Sequence, residues 1–108
     1  MNANNRVVIS GIGLVTPLGQ GTEQTWSSAI EGRSGVGPIT HFDATEHPVR
    51  IAGEVSAFSP DACITPKDQK RMDLFIQYGM VAAMEAVSDA GLTLPLPNPE
   101  RIGVLVGV

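Results

Sequence analysis

The sequence has few of the features that define several common classes of protein. Cys63 is the only cysteine, which excludes an internal disulfide framework and favours a reducing compartment. No apolar run approaches the roughly 20 residues that a membrane-spanning helix needs, and the first residues contain no signal-peptide core. We therefore expect a cytosolic protein that has no membrane partner.

Basic residues are also scarce. Seven lysines and arginines stand against eleven acidic residues, for a formal net charge of −4. Proteins that bind nucleic acid usually carry a basic excess, so no nucleic-acid partner is expected. Three of the basic residues, Lys67, Lys70 and Arg71, nevertheless lie within five positions of one another. This local reversal of sign is the most informative charge feature of the chain.

The remaining composition is typical of a single globular domain. The apolar share of 43% against 17% charged residues separates the chain from disordered proteins. A length of 108 residues predicts one domain. Twelve glycines and eight prolines place much of the chain in turns, and no internal repeat is present.

Two short apolar runs predict buried β-strands. Residues 6–13 (RVVISGIG) and 101–108 (RIGVLVGV) place apolar residues consecutively rather than alternately. This is the pattern of a strand buried on both faces of a layered sheet. Alternation over residues 49–55 predicts a third, half-exposed strand, whereas residues 34–48 have the composition of a loop.

Two helices are predicted between these strands. The first has Thr22 as its N-cap and ends at Gly32, in the left-handed conformation that closes many helices. The second and longer helix begins near Pro66 or Lys67 and ends at Gly91. Its apolar residues recur every three or four positions, and small residues along it allow close approach of a neighbour. The small residues are Gly79, Ala82, Ala83 and Ala86.

Strands and helices alternate along the chain, so the predicted fold class is α/β. A buried strand as the last element would leave a sheet edge and apolar faces open, which favours aggregation. We therefore expect residues 1–108 to be part of a longer protein.

The glycines at positions 11 and 13 follow a predicted strand, as in dinucleotide-binding proteins. That fingerprint needs a third glycine three positions after the second, where this chain has Thr16 followed by Pro17. The pattern favours glycines that shape the end of a strand. A small nucleotide-binding domain is kept as an alternative.

Cys63 and the two histidines match no catalytic or metal-binding pattern. A reactive thiol needs a helix N-terminus, a histidine or a cation beside it, and neither His41 nor His47 has a spacing that implies such a contact. Asp43 and Glu46, near the histidines, match no spacing of metal ligands. We therefore expect no metal, no cofactor and no catalytic role for these residues.

The cluster of Lys67, Lys70 and Arg71 is spaced so that its members share one face of a helix. A solvated helix end is one interpretation. The other is a docking site for an acidic partner, held by electrostatic steering and charge-assisted hydrogen bonds. The spacing alone does not decide between them.

Several motifs, taken in order, resemble the β-ketoacyl-acyl-carrier-protein synthases of the fatty-acid elongating type. They are residues 6–13 (RVVISGIG), 16–19 (TPLG), 25–26 (TW), 32–35 (GRSG), 41–43 (HFD), 71–73 (RMD), 75–79 (FIQYG), 89–91 (DAG) and 101–103 (RIG). The block over 72–79 is the most specific, because the modular polyketide relatives carry a different sequence there. The resemblance covers nearly the whole chain.

This resemblance implies a thiolase-like fold with α-β-α-β-α layers built from two related halves. Residues 1–108 would form an incomplete segment of the N-terminal domain. The implied activity is that of an acyltransferase, the decarboxylative condensation of malonyl carrier protein with an acyl thioester. The family needs no cofactor for this reaction and is homodimeric.

In this family a cysteine takes the acyl chain, and two histidines bind the thioester carbonyl and assist decarboxylation. The resemblance places all three beyond the present segment, and Cys63 does not match the nucleophile motif. No residue of this chain is therefore assigned a catalytic role, and the segment alone is expected to be inactive.

One family role does match residues of this chain. Lys67, Lys70 and Arg71 resemble the basic patch that holds the acidic acyl carrier protein. Pro66 stands where the family often has a basic residue, so one contact fewer is expected. The alternative is a stand-alone module that binds the carrier protein or serves as scaffold without catalysis.

Overall fold

Helices and short hairpins make up the structure, a computed structural model that describes residues 4–107. In chain order the elements are β1 (Val15–Thr16), β2 (Gly19–Gln20), α1 (Thr22–Ile30), β3 (Val36–Pro38), β4 (Ile51–Gly53), α2 (Pro66–Gln69), α3 (Leu74–Asp89) and a 3₁₀-helix (Pro99–Arg101). This mixture of helix and strand agrees with the predicted α/β class. Within the described range, every helix is too short or too polar to cross a membrane.

The strands form two separate antiparallel hairpins. β1 pairs with β2, and β3 pairs with β4 so that Gly37 lies opposite Ala52. β4 confirms the centre of the strand predicted over 49–55. The prediction of a loop over 34–48 is wrong for β3, because Gly37 and Pro38 are residues that strands disfavour and they hid the pairing.

The first predicted helix is confirmed as α1. Its N-cap is Gly21 rather than Thr22, which is already the first helical residue. At the other end Gly32 has a φ of 73°, and its N–H donates to the Ala29 carbonyl at 3.0 Å. The N–H of Arg33 donates to the carbonyl of Ser28 at 3.0 Å, which completes the two-bond glycine stop that the sequence predicted.

The second predicted helix is two helices. α2 ends at Gln69, the next four residues are not helical, and α3 begins at Leu74. The apolar stripe starts only at Met72, so its periodicity contains no information on residues 66–71 and could not locate the break. The predicted stop is confirmed: Gly91 has a φ of 69°, and its N–H donates to the Ser88 carbonyl at 3.0 Å.

The glycines at the start of the chain lie against α3. A Cβ added to Gly11 would lie 2.6 Å from the backbone nitrogen of Ala90, and one added to Gly13 would lie 2.6 Å from that of Ala86. Side chains are excluded at such distances. The small residues of α3 therefore do allow close approach of a neighbour, although Gly79 has open space beside it.

The buried strands predicted for 6–13 and 101–108 are absent from the described residues. Val7 and Leu105 are each 99% exposed, and residue 101 closes the 3₁₀-helix. A strand needs a neighbouring backbone that shares its hydrogen bonds, and no described backbone group pairs with 6–10 or 103–107. Val108 lies outside the described residues. The apolar runs thus indicate that these side chains are suited to burial. They contain no information on which strand would pair with them.

The buried centre of the described structure is small. Its apolar members are Ala44, Ile64 and Val81, and the polar side chain of Gln77 lies among the buried residues. Ile64 and Val81 belong to the regions before α2 and within α3, so this centre is close to the predicted docking cluster in sequence.

Candidate functional site

The three predicted docking residues, Lys67, Lys70 and Arg71, lie in α2 and in the exposed turn that follows it. Lys67 belongs to α2, Lys70 is the C-cap and keeps helical backbone angles, and Arg71 follows directly. All three residues are exposed. We call them the basic turn. The spacing predicted one continuous helix face, whereas the structure places the cluster at a helix end.

The N-terminus of α2 is closed by its own residues. Pro66 occupies the start of the helix, where a missing N–H is tolerated. The N–H of Asp68 donates to the Thr65 Oγ1 at 3.3 Å, and that hydroxyl lies 2.7 Å from the Asp68 carboxylate, to which it donates. This short cap fixes where the basic turn begins.

Two acidic side chains near the basic turn are bonded to uncharged groups, whereas the exposed side chain of Asp73, the N-cap of α3, makes no capping hydrogen bond. Asp68 accepts from Thr65, and Asp61 accepts from the amide of Gln69 at 2.9 Å and from the hydroxyl of Ser59 at 3.2 Å. Within residues 4–107, the ion pair of Arg33 with Glu31 lies after α1, and the contact of His41 with Glu54 lies at the second hairpin. The basic turn therefore has no acidic partner in the described part of the chain.

Gln77, on the first turns of α3, supports the basic turn from beneath. Its side chain is buried, and its amide nitrogen donates to the carbonyls of Gln69 and Met72, each at 3.1 Å. Gln69 is the last residue of α2, where helix carbonyls lack intrahelical partners, and Met72 lies in the non-helical link between α2 and α3. Gln77 belongs to the motif over 75–79, from which no role of its own could be predicted.

Two carboxylates of α3 hold the N-terminal part of the chain. Glu85 accepts from the backbone N–H groups of Thr22 at 2.7 Å and Leu14 at 2.9 Å, and Asp89 accepts from that of Ile12 at 2.9 Å. Glu85 thereby occupies the N-terminus of α1, where negative charge is favoured. The signal available in the sequence was the four-residue spacing of two acids on an apolar helix.

The pKa of Glu85 reflects this setting. Partial burial raises the pKa of the carboxyl group, but the backbone N–H groups of Thr22 and Leu14, with the Thr22 hydroxyl, outweigh burial and hold the pKa below its ordinary value. The ionised form is the one that accepts these bonds. Glu85 is therefore a structural anchor whose charge matters to folding.

The space beside the two N-terminal glycines is filled by α3. The dinucleotide alternative requires that space for a pyrophosphate approaching the backbone. In the structure the backbone of α3 lies against Gly11 and Gly13 instead. Their role is close packing of chain against helix rather than the shaping of a strand end, because no strand forms over 6–13.

Cys63 is half-buried beside α3. It lines a cavity of about 390 Å³ together with Val81, Met84 and Glu85. The histidines have other neighbours: the His41 ring lies 3.9 Å from a Glu54 carboxylate oxygen, and the His47 ring is edge-on to Phe42. In the described part of the chain, no three potential ligand side chains come together as a metal site.

The loop before β4 has its own hydrogen-bond network. The hydroxyl of Thr40 donates to Glu54 at 2.8 Å, and the N–H groups of Thr40 and His41 donate to the same carboxylate. These bonds, led by that of the Thr40 hydroxyl, lower the pKa of Glu54. Hydrogen bonds from Thr45 likewise lower the pKa of Asp43. The polar residues of this loop organise the loop itself.

An apolar groove of about 760 Å³ lies between α3 and residues 104–107. Its lining residues are Phe75, Ile76, Gly79, Met80, Ala83, Val104, Val106 and Gly107. Phe75 is 59% exposed and Val104 is 89% exposed. The stripe predicted to pack α3 against a neighbour is thus open over this stretch of the described structure.

The comparisons with known proteins define the family. Residues 4–108 match the family model for the β-ketoacyl synthase N-terminal domain. Curated proteins called 3-oxoacyl-[acyl-carrier-protein] synthase 2 are 42% identical over 97% of this chain in Vibrio harveyi and 42% identical over 99% of it in Staphylococcus aureus strain COL. The chain belongs to the β-ketoacyl synthase family.

The matches cover only part of each relative. The chain spans 25% of the Vibrio harveyi protein and 26% of the Staphylococcus aureus protein. A solved structure, the ishigamide ketosynthase/chain length factor, superimposes with a TM-score of 0.70 at 38% identity, over 84% of this chain and 23% of the other. The likeness to a ketosynthase is consistent with the predicted thiolase-like α/β class.

Proposed function

We propose that this chain is the N-terminal part of a fatty-acid elongating β-ketoacyl-acyl-carrier-protein synthase. The enzyme condenses malonyl carrier protein with an acyl thioester and releases carbon dioxide. Support comes from relatives called 3-oxoacyl-[acyl-carrier-protein] synthase 2, at 41–42% identity over almost the whole chain. The free thiol of Cys63 suits a reducing, cytosolic location for this homodimeric enzyme.

Within that enzyme, residues 1–108 form an incomplete segment of the N-terminal domain. The exposed apolar runs at 6–13 and 102–107 supply strands of the layered thiolase-like sheet, and the open groove of α3 is covered by the rest of the protein. The exposure of Val7, Leu105 and Phe75 supports this, because large apolar side chains are stabilised by removal from water.

The segment contributes scaffold and the docking of acyl carrier protein. The observation that carries docking is that Lys67, Lys70 and Arg71 are exposed and that none of them forms an ion pair with a carboxylate among residues 4–107. An acidic partner can therefore bind these cations without breaking an existing ion pair. Surface contacts of this kind contribute about 0.2–1 kcal/mol each, which predicts transient and salt-sensitive binding.

The chemical steps are assigned to residues outside this segment. Condensation needs a thiolate to carry the acyl chain and donors that stabilise the thioester oxyanion. Cys63 is half-buried, and the rings of His41 and His47 lie beside Glu54 and Phe42. We give none of these three a catalytic role.

The experiment supplies the full-length protein with malonyl carrier protein and with an acyl thioester of the carrier protein. We expect the wild-type protein to release carbon dioxide and form a ketoacyl product. The triple variant Lys67→Glu, Lys70→Glu, Arg71→Glu should raise the Kd for carrier protein at low ionic strength at least about tenfold. Arg50→Glu reverses an exposed cation outside the basic turn and should change Kd far less than Lys70→Glu. Binding without condensation would favour the stand-alone module, and condensation without an effect of the triple variant would remove the docking role.

A further inference from the structure

The amide of Gln77 brackets the part of the basic turn that carries two of its cations. One accepting carbonyl belongs to Gln69, which directly precedes Lys70, and the other belongs to Met72, which directly follows Arg71. Both bonds are 3.1 Å long. A single side chain therefore fixes the backbone on both sides of the two cations.

The turn has few other hydrogen bonds to hold it. The N–H of Arg71 donates to the carbonyl of Asp68 at 2.9 Å, and that of Met72 donates to Gln69 at a longer 3.3 Å. α2 has only four residues, so its final carbonyls lack the support of a long helix. Gln77 adds a second donor to the Gln69 carbonyl and supplies a donor to the Met72 carbonyl.

The position of Gln77 makes this support rigid. The residue is 8% exposed and sits in α3, a helix of 16 residues. A buried amide in a stable helix has little freedom to choose other partners, because an unpaired buried polar group is costly. The conformation of the turn is therefore held by a side chain of α3.

A second amide ties the same junction from the other side. Gln69 donates from its amide nitrogen to the carbonyl of Ile64 at 2.8 Å and to the Asp61 carboxylate at 2.9 Å. Ile64 is 4% exposed and belongs to the small buried centre. The end of α2 is thus linked both to α3 and to the segment that precedes α2.

We propose that Gln77 is a positioning residue for carrier-protein docking. Its amide holds the turn so that Lys70 and Arg71 are presented in one arrangement before the partner arrives. This inference rests on the docking function proposed above. Preorganised groups lose less conformational freedom on binding, so Gln77 increases affinity without touching the partner.

This role predicts a kinetic signature. The substitution Gln77→Met keeps the length of the side chain and the net charge but removes both donors. Long-range steering depends on charge and should persist, whereas the fit of the docked complex should weaken. In the full-length protein, surface plasmon resonance with holo acyl carrier protein at low ionic strength should show dissociation about 3- to 10-fold faster and association within about twofold of wild type.

A double-mutant cycle separates positioning from general stability. If Gln77 acts through the two cations, Gln77→Met should have no further effect in a Lys70→Ala, Arg71→Ala background. Val81→Ala, at a buried position one turn further along α3, should lower the Tm and leave the dissociation rate unchanged. If Gln77→Met fails to fold, Gln69→Met gives a second test at a half-buried position. It should also make dissociation faster, and this effect should also be lost in the Lys70→Ala, Arg71→Ala background.

The outcomes distinguish this inference from the function on which it rests. An unchanged dissociation rate in Gln77→Met, or a change of the same size in the background without cations, overturns the positioning role while docking stands. If Gln77→Met does not fold, an unchanged rate in Gln69→Met overturns it in the same way. Unchanged binding in the Lys70→Ala, Arg71→Ala variant overturns docking itself.

Discussion

The carboxylate of Glu85 accepts the backbone N–H of Thr22 at 2.7 Å and so closes the N-terminus of α1 from a different helix. The N-cap residue, Gly21, has no side chain that could do this. The other oxygen of Glu85 accepts the N–H of Leu14 at 2.9 Å. One side chain thus joins the first hairpin, α1 and α3.

Replacing this anchor should destabilise the protein. Glu85→Gln keeps the shape of the side chain, but its amide nitrogen cannot accept a hydrogen bond, so one backbone N–H loses its partner. We expect the free energy of unfolding to fall by about 1–3 kcal/mol. Urea unfolding of the full-length protein measures it. Glu23→Gln, an exposed acid in the first turn of α1, is the matched control and should cost no more than about 0.5 kcal/mol.

The contribution of Glu85 should depend on pH with a defined sign. Its pKa is lowered in the folded protein from an ordinary value of 4.5, so folding favours the ionised form. The stabilisation is fully present above the unfolded pKa and is lost as the pH falls through the folded pKa. The difference in unfolding free energy between wild type and Glu85→Gln should be constant at neutral pH and shrink below about pH 4.5. A difference that grows in acid would contradict the assignment.

Close packing at Gly13 should be intolerant of a single methyl group. A Cβ there would lie 2.6 Å from the Ala86 backbone nitrogen and against the Ala82 carbonyl oxygen. We expect Gly13→Ala to cost about 1–3 kcal/mol of unfolding free energy. Gly37→Ala is the control, since a Cβ at Gly37 would meet nothing within 4 Å. Equal effects of the two substitutions in chemical denaturation would show that α3 does not constrain this segment.

Adding a cation at Pro66 should strengthen docking. Pro66→Lys would extend the basic turn by one charge, at the position where the family resemblance led us to expect a basic residue. We expect affinity for acyl carrier protein to rise by about 0.2–1 kcal/mol at low ionic strength and the gain to vanish at high salt. Pro66→Gln removes the proline without adding charge and is the control. Calorimetric titration at two salt concentrations compares them.

Helix ends were more predictable than strand pairing. Gly32 and Gly91 stop helices where the sequence indicates, because a glycine in the left-handed conformation is a local requirement. β3 was missed, and the strands predicted at 6–13 and 101–108 did not form within the described residues. Pairing depends on distant backbone, which a local pattern does not contain.

The candidate site shows the same division. Lys67, Lys70 and Arg71 were found from charge and from the family resemblance, and the structure leaves all three exposed. The supporting role of Gln77 was not predictable, because it depends on a side chain reaching carbonyls five and eight positions away. Polar residues inside an apolar helix are the signal to inspect in such cases.

The bonds from α3 to the N-terminal segment also order events during synthesis. Ile12 and its partner Asp89 are 77 positions apart, and Leu14 and Glu85 are 71 apart. At ribosomal rates of about 5–20 residues per second, Asp89 is synthesised roughly 4–15 s after Ile12. The N-terminal segment therefore cannot form its hydrogen bonds to α3 until α3 has been synthesised. The N-terminus of α1 also receives the carboxylate of Glu85 only then.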